Sequence, residues 1–258
     1  MKLLEGKNVI ITGASRGIGM GIAKVFADHG ANIAFTYSSS EAPALALEKE
    51  LSSKGVKAKA YKSNAANFEE ADVLVNQVLK DFDGVIDVLI NNAGMLDPIK
   101  KIGTYTAEAV SMNVQVNLTA PMVLSNKFVA AYQQLNCKKL ILNISSGAGK
   151  YPIDGWSAYC ATKSGLDMFS TVMHAEQNLL SNVYGRVKVV SLSPGIIDTE
   201  MQADIRSSKA EDFSQVERFV DYKKSGELQS SIQTAEKIIS KLHTLYHREE
   251  VICSLRDE

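Results

Sequence analysis

Short apolar, β-branched runs alternate along the chain with longer segments whose apolar residues recur at helical spacing. Residues 86–90 are almost wholly apolar, which is typical of a central strand of a parallel sheet that is buried on both faces. The predicted strands are residues 8–12, 32–37, 56–62, 86–90, 138–144, 187–192 and 250–254. The predicted helices run from the glycine-rich turn at 13–19 to residue 29, and over residues 42–54, 67–82, 105–112, 114–132, 157–180 and 234–246. This alternation predicts a single α/β domain, a doubly wound parallel sheet of about seven strands with helices on both faces.

The alternation of strands and helices stops after Pro194 and Gly195. Residues 199–231 are polar, charged and helix-prone, and they contain no predicted strand. An insertion at the carboxyl edge of a parallel sheet is well placed to cover a substrate pocket, so residues 196–228 are the predicted substrate loop. The alternative is a solvated surface helix, and part of the segment fits that interpretation. Earlier in the chain, Pro121 interrupts the predicted helix 114–132, where it predicts a kink or an early-turn position.

Composition narrows the class of protein. The chain has 258 residues, 45% of them hydrophobic, a net charge of −1 and a pI near 6.5, which fits one domain and gives no basic footprint for nucleic acid. The N-terminal residues lack the apolar core of a signal peptide, and no apolar run is long enough to span a bilayer, so we expect a cytoplasmic protein without a membrane partner. Cys137, Cys160 and Cys253 are widely spaced and odd in number, which favours reduced structural thiols over disulfides or a metal site.

A glycine-rich turn joins the first predicted strand to the first helix. Its candidate phosphate-binding residues are Gly13, Ser15, Arg16, Gly17, Ile18 and Gly19. Such a turn exposes backbone N–H groups and the positive end of a helix to a pyrophosphate. The spacing is one residue longer between the first two glycines than in the common dinucleotide fingerprint, and the alternative is a structural turn.

The end of the second predicted strand indicates which dinucleotide is bound. No acidic residue stands there to hold a ribose diol; the chain has Tyr37, Ser38 and Ser39 instead. Arg16 in the glycine turn is suited to a 2′-phosphate, and the two serine hydroxyls can hydrogen-bond it. These residues favour NADPH over NADH. The alternative for Arg16 is a solvent-facing turn residue.

Tyr159 and Lys163 are four residues apart in a predicted helix and therefore project from the same face. A cation beside a phenol favours the phenolate and is expected to bring the pKa of Tyr159 toward the range used in acid–base catalysis. Ser146 is a candidate for orienting a carbonyl oxygen. Taken alone, this common spacing favours the alternative of a surface tyrosine beside a surface lysine.

Taken together and in order, these motifs resemble the short-chain dehydrogenase/reductase family along essentially the whole chain. The matching segments are the turn at residues 12–19, Asn91-Asn92-Ala93-Gly94, Asn117, Ser146, Tyr159, Lys163 and Pro194 to Thr199. The resemblance implies a single-domain Rossmann fold, with a cofactor-binding half over about residues 1–110 and a catalytic and substrate half over about 111–258.

The resemblance also implies roles for individual residues. Tyr159 would protonate a carbonyl oxygen as hydride arrives from the nicotinamide, and Lys163 would lower the pKa of Tyr159 and hold the nicotinamide ribose. Asn117 would hold, through its backbone, a water that links Lys163 to solvent. Further cofactor contacts are implied for Asn64, Asn91, Ala93, Gly94, Pro194, Gly195, Ile197 and Thr199, in addition to Tyr37, Ser38, Ser39, Tyr159, Lys163 and the glycine turn. Asn64 departs from the pattern, because many relatives have Asp there.

The two halves resemble different branches of this family. Residues 8–94 are similar to bacterial 3-oxoacyl-(acyl-carrier-protein) reductases, whereas the chain from Asn91 onward looks like the sepiapterin reductase and benzil reductase branch. The second half implies a substrate pocket for aromatic or vicinal dicarbonyl compounds. Tyr151, Ile153, Trp156 and Met201 are its predicted lining residues, and the alternative for Trp156 and Met201 is a core or interface position.

The leading hypothesis is therefore an NADPH-dependent carbonyl reductase acting on ketones or 1,2-dicarbonyl compounds. The runner-up is a 3-oxoacyl thioester reductase. Such an enzyme would need a basic cluster to dock an acidic carrier protein, and residues 98–103 offer only Lys100 and Lys101, which weighs against this hypothesis. A hypothesis of another class is a catalytically silent NADP(H)-binding sensor or scaffold. The helices at 114–132 and 157–180 form the dimer interface in relatives, which implies a homodimer or homotetramer here.

Overall fold

The computed structural model describes residues 2–132 and 138–256. The strands are β1 (Asn8–Ile11), β2 (Asn32–Tyr37), β3 (Ala58–Lys62), β4 (Val88–Asn91), β5 (Lys139–Ile144), β6 (Val187–Ser193) and β7 (Ile252–Ser254). The helices are α1 (Gly17–Asp28), α2 (Glu41–Ser52), α3 (Phe68–Asp81), α4 (Ala107–Val114), α5 (Ala120–Tyr132), α6 (Ser157–Leu179), α7 (Glu200–Ser207), α8 (Val216–Lys224), α9 (Ser231–Ser240) and α10 (Leu242–His247).

The seven strands form one parallel sheet in the order β3-β2-β1-β4-β5-β6-β7. The strand order reverses between β1 and β4, where Val9 pairs with Ile33 on one side and with Val88 on the other. Ligands of open α/β sheets bind beyond the carboxyl ends of the strands at such a reversal. The predicted doubly wound Rossmann fold is confirmed, and its reversal point lies beside the glycine turn.

Each face of the sheet is covered by helices. One core layer contains Ile22 and Phe26 of α1, with further buried residues from α2 and α9. The opposite layer contains Leu74 of α3 and Phe128 of α5, together with a residue of α6. A third apolar cluster lies apart from both layers and joins the start of α6 to the segment with α7 and α8.

The helical boundaries differ from the prediction around Pro121. Residues Gln115–Thr119 form a π-helical turn between α4 and α5, and Pro121 is the second residue of α5. Proline has no N–H, so it cannot donate to the carbonyl four residues earlier, which is that of Asn117. The irregular turn therefore precedes the proline, and Asn117 lies at its centre.

The C-terminal part also differs in detail. The predicted helix 234–246 is two helices, α9 and α10, and α9 begins three residues earlier because Ser230 and Gln233 form a capping box. The excursion after β6 contains α7 and α8. Cys160 and Cys253 are thiols that form no disulfide with another described residue, while Cys137 lies outside the described residues. Within the described ranges, the helices are too short or too polar to cross a membrane.

Candidate active site

The glycine turn is shaped by close backbone contacts. Gly13 and Gly17 have φ values of 63° and 57°, a region that favours glycine. A Cβ on Gly13 would lie 3.0 Å from the Cα of Ala93, and a Cβ on Gly19 would lie 2.7 Å from the carbonyl oxygen of Gly13. A side chain is therefore excluded at Gly13 and Gly19, and the backbone of the turn leads directly into the first turn of α1. This is the cradle that a pyrophosphate needs.

The side chains of Thr12 and Asn92, for which no individual role was predicted, hold the turn against the loop after β4. The Thr12 hydroxyl oxygen accepts hydrogen bonds from the backbone N–H groups of Asn92 and Ala93, each at 2.9 Å. The Asn92 side chain donates to the carbonyl oxygen of Thr12 at 2.8 Å. On the other side, the Thr36 hydroxyl accepts from the Gly13 N–H at 2.9 Å. The sequence signal that could have found these contacts is a threonine next to the carboxyl end of each of the first two strands, Thr12 and Thr36.

The end of β2 has an acidic neighbour that the prediction did not include. The hydroxyl of the buried Tyr37 donates a hydrogen bond to Glu41, in the first turn of α2, at 3.4 Å. The pKa of Tyr37 is raised mainly by burial and to a smaller extent by the Glu41 carboxylate. Ser38 and Ser39 are exposed. The expectation of a strand end free of competing acids is therefore corrected, since Glu41 lies one turn further on.

Arg16, the expected partner of a 2′-phosphate, forms an ion pair with Glu200 in the first turn of α7. Both side chains are about two-thirds exposed, at 68% and 67%. Thr199, the residue before α7, lies with its methyl group 3.7 Å from where a Gly17 Cβ would be. The start of α7 thus lies over the glycine turn, and Arg16 is a solvent-exposed residue that is paired with Glu200.

The predicted adenosine contacts are engaged within the protein. The side-chain oxygen of Asn64 accepts from the Ala66 N–H at 3.0 Å. The Asn91 side chain donates to Asn143 at 2.7 Å and to Ser125 at 3.1 Å. Asn91 thus belongs to a buried polar network, although its oxygen Oδ1 has no partner among the described residues. This arrangement therefore favours a structural role for the Asn91 side chain over a direct contact with adenosine.

Tyr159, Lys163 and Ser146 lie together beyond the carboxyl end of β5. Tyr159 and Lys163 are 7% and 4% exposed, so the surface-pair alternative is wrong. The Lys163 Nζ donates to the carbonyl oxygen of Ile144 at 2.8 Å and lies 5.6 Å from the centroid of the Tyr159 ring. Tyr159 hydrogen-bonds the side chain of Ser146, which begins the short helical turn Gly147–Gly149.

Burial sets the pKa values of this pair. It raises the pKa of Tyr159 to about 12, against a smaller lowering by the hydrogen bond with Ser146. Burial lowers the pKa of Lys163 to about 8, and the charge of Asp167 opposes that shift. The sequence-based expectation that Lys163 lowers the pKa of Tyr159 is thus not met in the protein alone. Tyr159 is held as a protonated acid instead.

Asn117 is fully buried at the centre of the π-helical turn. Its side chain donates to the Met95 carbonyl oxygen at 2.7 Å and accepts from the Met95 N–H at 2.9 Å. It also donates to the side chain of Asn113 at 2.8 Å. The side chain is thus used to fix the loop after Gly94, which leaves the backbone of Asn117 as the part available for the implied water contact.

Asn113 is a site residue that sequence reasoning missed. It is fully buried, donates to the carbonyl oxygen of Asp97 at 2.8 Å, and accepts from Thr162 at 3.2 Å. It therefore joins α4, the loop after β4 and the helix that carries Tyr159 and Lys163. Its spacing of four residues from Asn117 was the signal that could have found it.

The segment from Pro194 to Thr199 leads from β6 to α7. Gly195 has a φ of 93°, and Ile197 is buried and forms an isolated bridge with Gln229. The N–H of Asp198 donates to the Gln229 carbonyl oxygen at 2.9 Å. These contacts tie the segment to the chain that follows α8 and hold Thr199 near Gly17.

An aromatic cluster covers Tyr159. Trp156 is 5% exposed, and its ring centroid lies 6.0 Å from that of Tyr159 in an edge-to-face arrangement. Phe213 and Phe219, which were not predicted as site residues, lie 5.2 Å and 5.6 Å from Trp156. The cluster is completed by Leu96, Ala148, Ile205 and Val216, with Ile99, Ile153, Cys160, Met201 and Val220 packed against it.

Three of the four predicted substrate residues, Ile153, Trp156 and Met201, pack in or against this cluster and one does not. Trp156 is a core residue of the cluster and contacts the candidate acid Tyr159, while Met201 is partly buried and packs against the cluster. Tyr151 is 69% exposed, which corrects the expectation that it lines an apolar pocket. Its ring lies in solvent because the turn after Gly149 carries it away from the cluster.

The segment between α7 and α8 is fastened to two loops beside the site. Lys100 forms an ion pair with Asp212 at 2.9 Å, which raises the pKa of Lys100. Asp154 accepts from the N–H of Ser214 at 2.9 Å and from its hydroxyl at 3.0 Å. Phe213, between these two anchors, is fully buried. The segment is therefore a cover over the aromatic cluster.

A seven-stranded parallel sheet with a glycine turn at its reversal point defines a Rossmann-type dinucleotide-binding class. Within that class, the family model described as short chain dehydrogenase matches residues 7–210. The chain therefore belongs to the short-chain dehydrogenase/reductase family of oxidoreductases.

Three known proteins illustrate the similarity. A benzil reductase ((S)-benzoin forming) of Bacillus subtilis is 39% identical over 90% of this chain and 92% of its own. A 3-oxoacyl-(acyl-carrier-protein) reductase of Staphylococcus aureus is 32% identical over 76% of each chain. The solved structure of a short chain dehydrogenase from Burkholderia cenocepacia in complex with NADP is 26% identical, covers 97% of this chain and 96% of its own, and has a TM-score of 0.78.

Proposed function

We propose that this protein is an NADPH-dependent carbonyl reductase that acts on aromatic 1,2-dicarbonyl compounds. The observation that carries the proposal is the burial of Tyr159 and Lys163 beside half-buried Ser146, with Tyr159 packed in an aromatic cluster that reaches the cover segment. A buried phenol with a raised pKa can give a proton to a carbonyl oxygen, and apolar walls suit an aryl ketone.

The residues present fit a dinucleotide. The glycine turn excludes side chains where a pyrophosphate would bind, and Arg16 is close enough to the turn for its guanidinium to reach a 2′-phosphate after release from Glu200. When bound, the cofactor supplies hydride. NADP in a structural relative supports this choice of cofactor.

The protein's own residues would handle the proton and the substrate carbonyl. Ser146 and Tyr159 would both hydrogen-bond the reacting oxygen, and Tyr159 would donate its proton to it. Lys163, whose pKa of about 8 leaves it charged at neutral pH, would hold the cofactor ribose and stabilise the tyrosinate that forms. Asn117 would then hold, through its backbone, the water that returns a proton toward Lys163.

A 3-oxoacyl thioester reductase is the second candidate, supported by the similarity to the Staphylococcus aureus protein. One contact disfavours it: Lys100, one of the two lysines considered for docking a carrier protein, is paired with Asp212 of the cover segment. The benzil reductase also matches more of the chain at higher identity.

A panel assay with purified protein separates the candidates. NADPH oxidation would be followed with benzil and with an acetoacetyl thioester. We expect a higher kcat/KM for benzil. Turnover of the thioester without turnover of any 1,2-dicarbonyl compound would refute the substrate assignment, and binding of NADPH without any turnover would favour the sensor hypothesis.

We propose a homodimer or homotetramer as the assembled form. Apolar side chains stand exposed on the two helices that the family resemblance implicates, with Met122 on α5 and Met168 and Val172 on α6 exposed by 40%, 63% and 47%. Light scattering of the purified protein measures the mass, and a monomer at micromolar concentration would contradict the proposal.

A further inference from the structure

The indole N–H of Trp156 is buried and has no hydrogen-bond partner among residues 2–132 and 138–256. Buried N–H groups in folded proteins are nearly always paired, because leaving one without a partner costs free energy. The neighbours of this side chain in the cluster are apolar or aromatic, and the cluster's contacts with the indole do not use its N–H. An unpaired donor at this position therefore calls for a ligand.

Trp156 is placed beside the candidate proton donor. It precedes the first residue of α6, three residues before Tyr159, and the two rings meet edge to face at 6.0 Å. Phe213 and Phe219 of the cover segment lie against the same indole. A molecule that displaces these cover side chains and places one end at the Tyr159 hydroxyl would bring its adjacent atoms to the indole.

A 1,2-dicarbonyl compound has a second oxygen that needs a donor in such a place. Its reacting oxygen would be served by Ser146 and Tyr159, whereas the neighbouring oxygen would enter an apolar cluster, where an unpaired carbonyl is unfavourable. We propose that the Trp156 N–H donates a hydrogen bond to the non-reacting carbonyl oxygen. This inference rests on the proposed function and makes Trp156 the residue that selects dicarbonyl compounds over simple ketones.

The test compares Trp156→Phe with the parent on two matched ketones, benzil and deoxybenzoin, in which a methylene replaces one carbonyl of benzil. Phenylalanine keeps an aromatic ring but removes the donor. We expect kcat/KM for benzil to fall about tenfold, and kcat/KM for deoxybenzoin to change by less than about twofold, because only benzil has the second oxygen. Equal losses on both ketones would overturn the inference.

Phe213→Leu is the matched control, since it disturbs the same cluster without removing a polar atom. It should change kcat/KM for both ketones by the same factor. Because the chain contains a single tryptophan, replacing it biosynthetically with benzothienylalanine exchanges only the N–H of Trp156 for sulfur. The same selective loss is expected with that protein, whatever the folding of Trp156→Phe, and an unchanged ratio would refute the hydrogen bond. A parent inactive on benzil would refute the proposed function itself.

Discussion

Replacing Asn113 with alanine should destabilise the protein strongly, although the residue has no predicted part in the chemistry. The side chain is fully buried, donates to the Asp97 carbonyl oxygen at 2.8 Å, and accepts from Asn117 at 2.8 Å and from Thr162 at 3.2 Å. After the substitution, Asn117 keeps its bond to Met95 and Thr162 keeps its bond to the Tyr159 carbonyl oxygen. The Asp97 carbonyl oxygen, however, loses this donor.

The cost follows from these contacts. The loss of these three hydrogen bonds, at a net value of about 1 kcal/mol each, lowers the free energy of unfolding by about 3 kcal/mol. Urea unfolding followed by circular dichroism measures the change. Ser111→Ala, on an exposed position of the same helix, is the control and should stay within about 0.5 kcal/mol of the parent. A loss below about 1 kcal/mol for Asn113→Ala would refute the claim that Asn113 joins the loop after β4 to α6.

Three further predictions concern the cofactor side of the site and the effects of pH on activity and on stability. Glu200→Gln should lower the KM for NADPH about two- to fivefold at low salt and leave the KM for NADH unchanged, because the substitution frees Arg16 from an exposed ion pair. Steady-state assays with both cofactors measure the two KM values. An equal change in both KM values would contradict the prediction. Because the pKa of Lys163 is lowered to about 8, kcat/KM should be highest below that pH, where Lys163 is charged, and should fall above it. Lys163→Arg should remove this decrease at alkaline pH, because arginine keeps its charge. In the unfolded chain the pKa of this lysine is about 10.4, so between about pH 8 and pH 10.4 the unfolded state binds more protons than the folded state. The contribution of Lys163 to the free energy of unfolding should therefore rise with pH over that range. Urea unfolding at several pH values measures this change.

The sheet could be predicted from the sequence because parallel strands buried on both faces leave an unmistakable apolar pattern. Residues 86–90, for example, predict a central strand, and β4 occupies Val88–Asn91. The π-helical turn could not be predicted from periodicity, since its residues continue the helical spacing. It follows from Pro121 only when the missing N–H is traced back to the carbonyl of Asn117.

Candidate chemistry was predictable where residues act through local spacing, and less so where distant segments meet. Tyr159 and Lys163 share a helical face, which four-residue spacing requires. By contrast, Glu200 reaches Arg16 from 184 residues away, and Phe213 reaches Trp156 from the cover segment. No local pattern reports such contacts. The pKa of Tyr159 is a related case, because burial raises it and the four-residue spacing of Tyr159 and Lys163 does not report burial.

The central claim is that Tyr159 delivers the proton for NADPH-dependent reduction of a carbonyl compound. Its most direct test is the turnover of benzil by Tyr159→Phe, measured together with the Kd for NADPH. The substitution removes one hydroxyl from a ring that stays packed against Trp156. We predict a loss of about a hundredfold or more in kcat with NADPH affinity within about twofold of the parent. A variant that reduces benzil at the parent's rate would contradict the account.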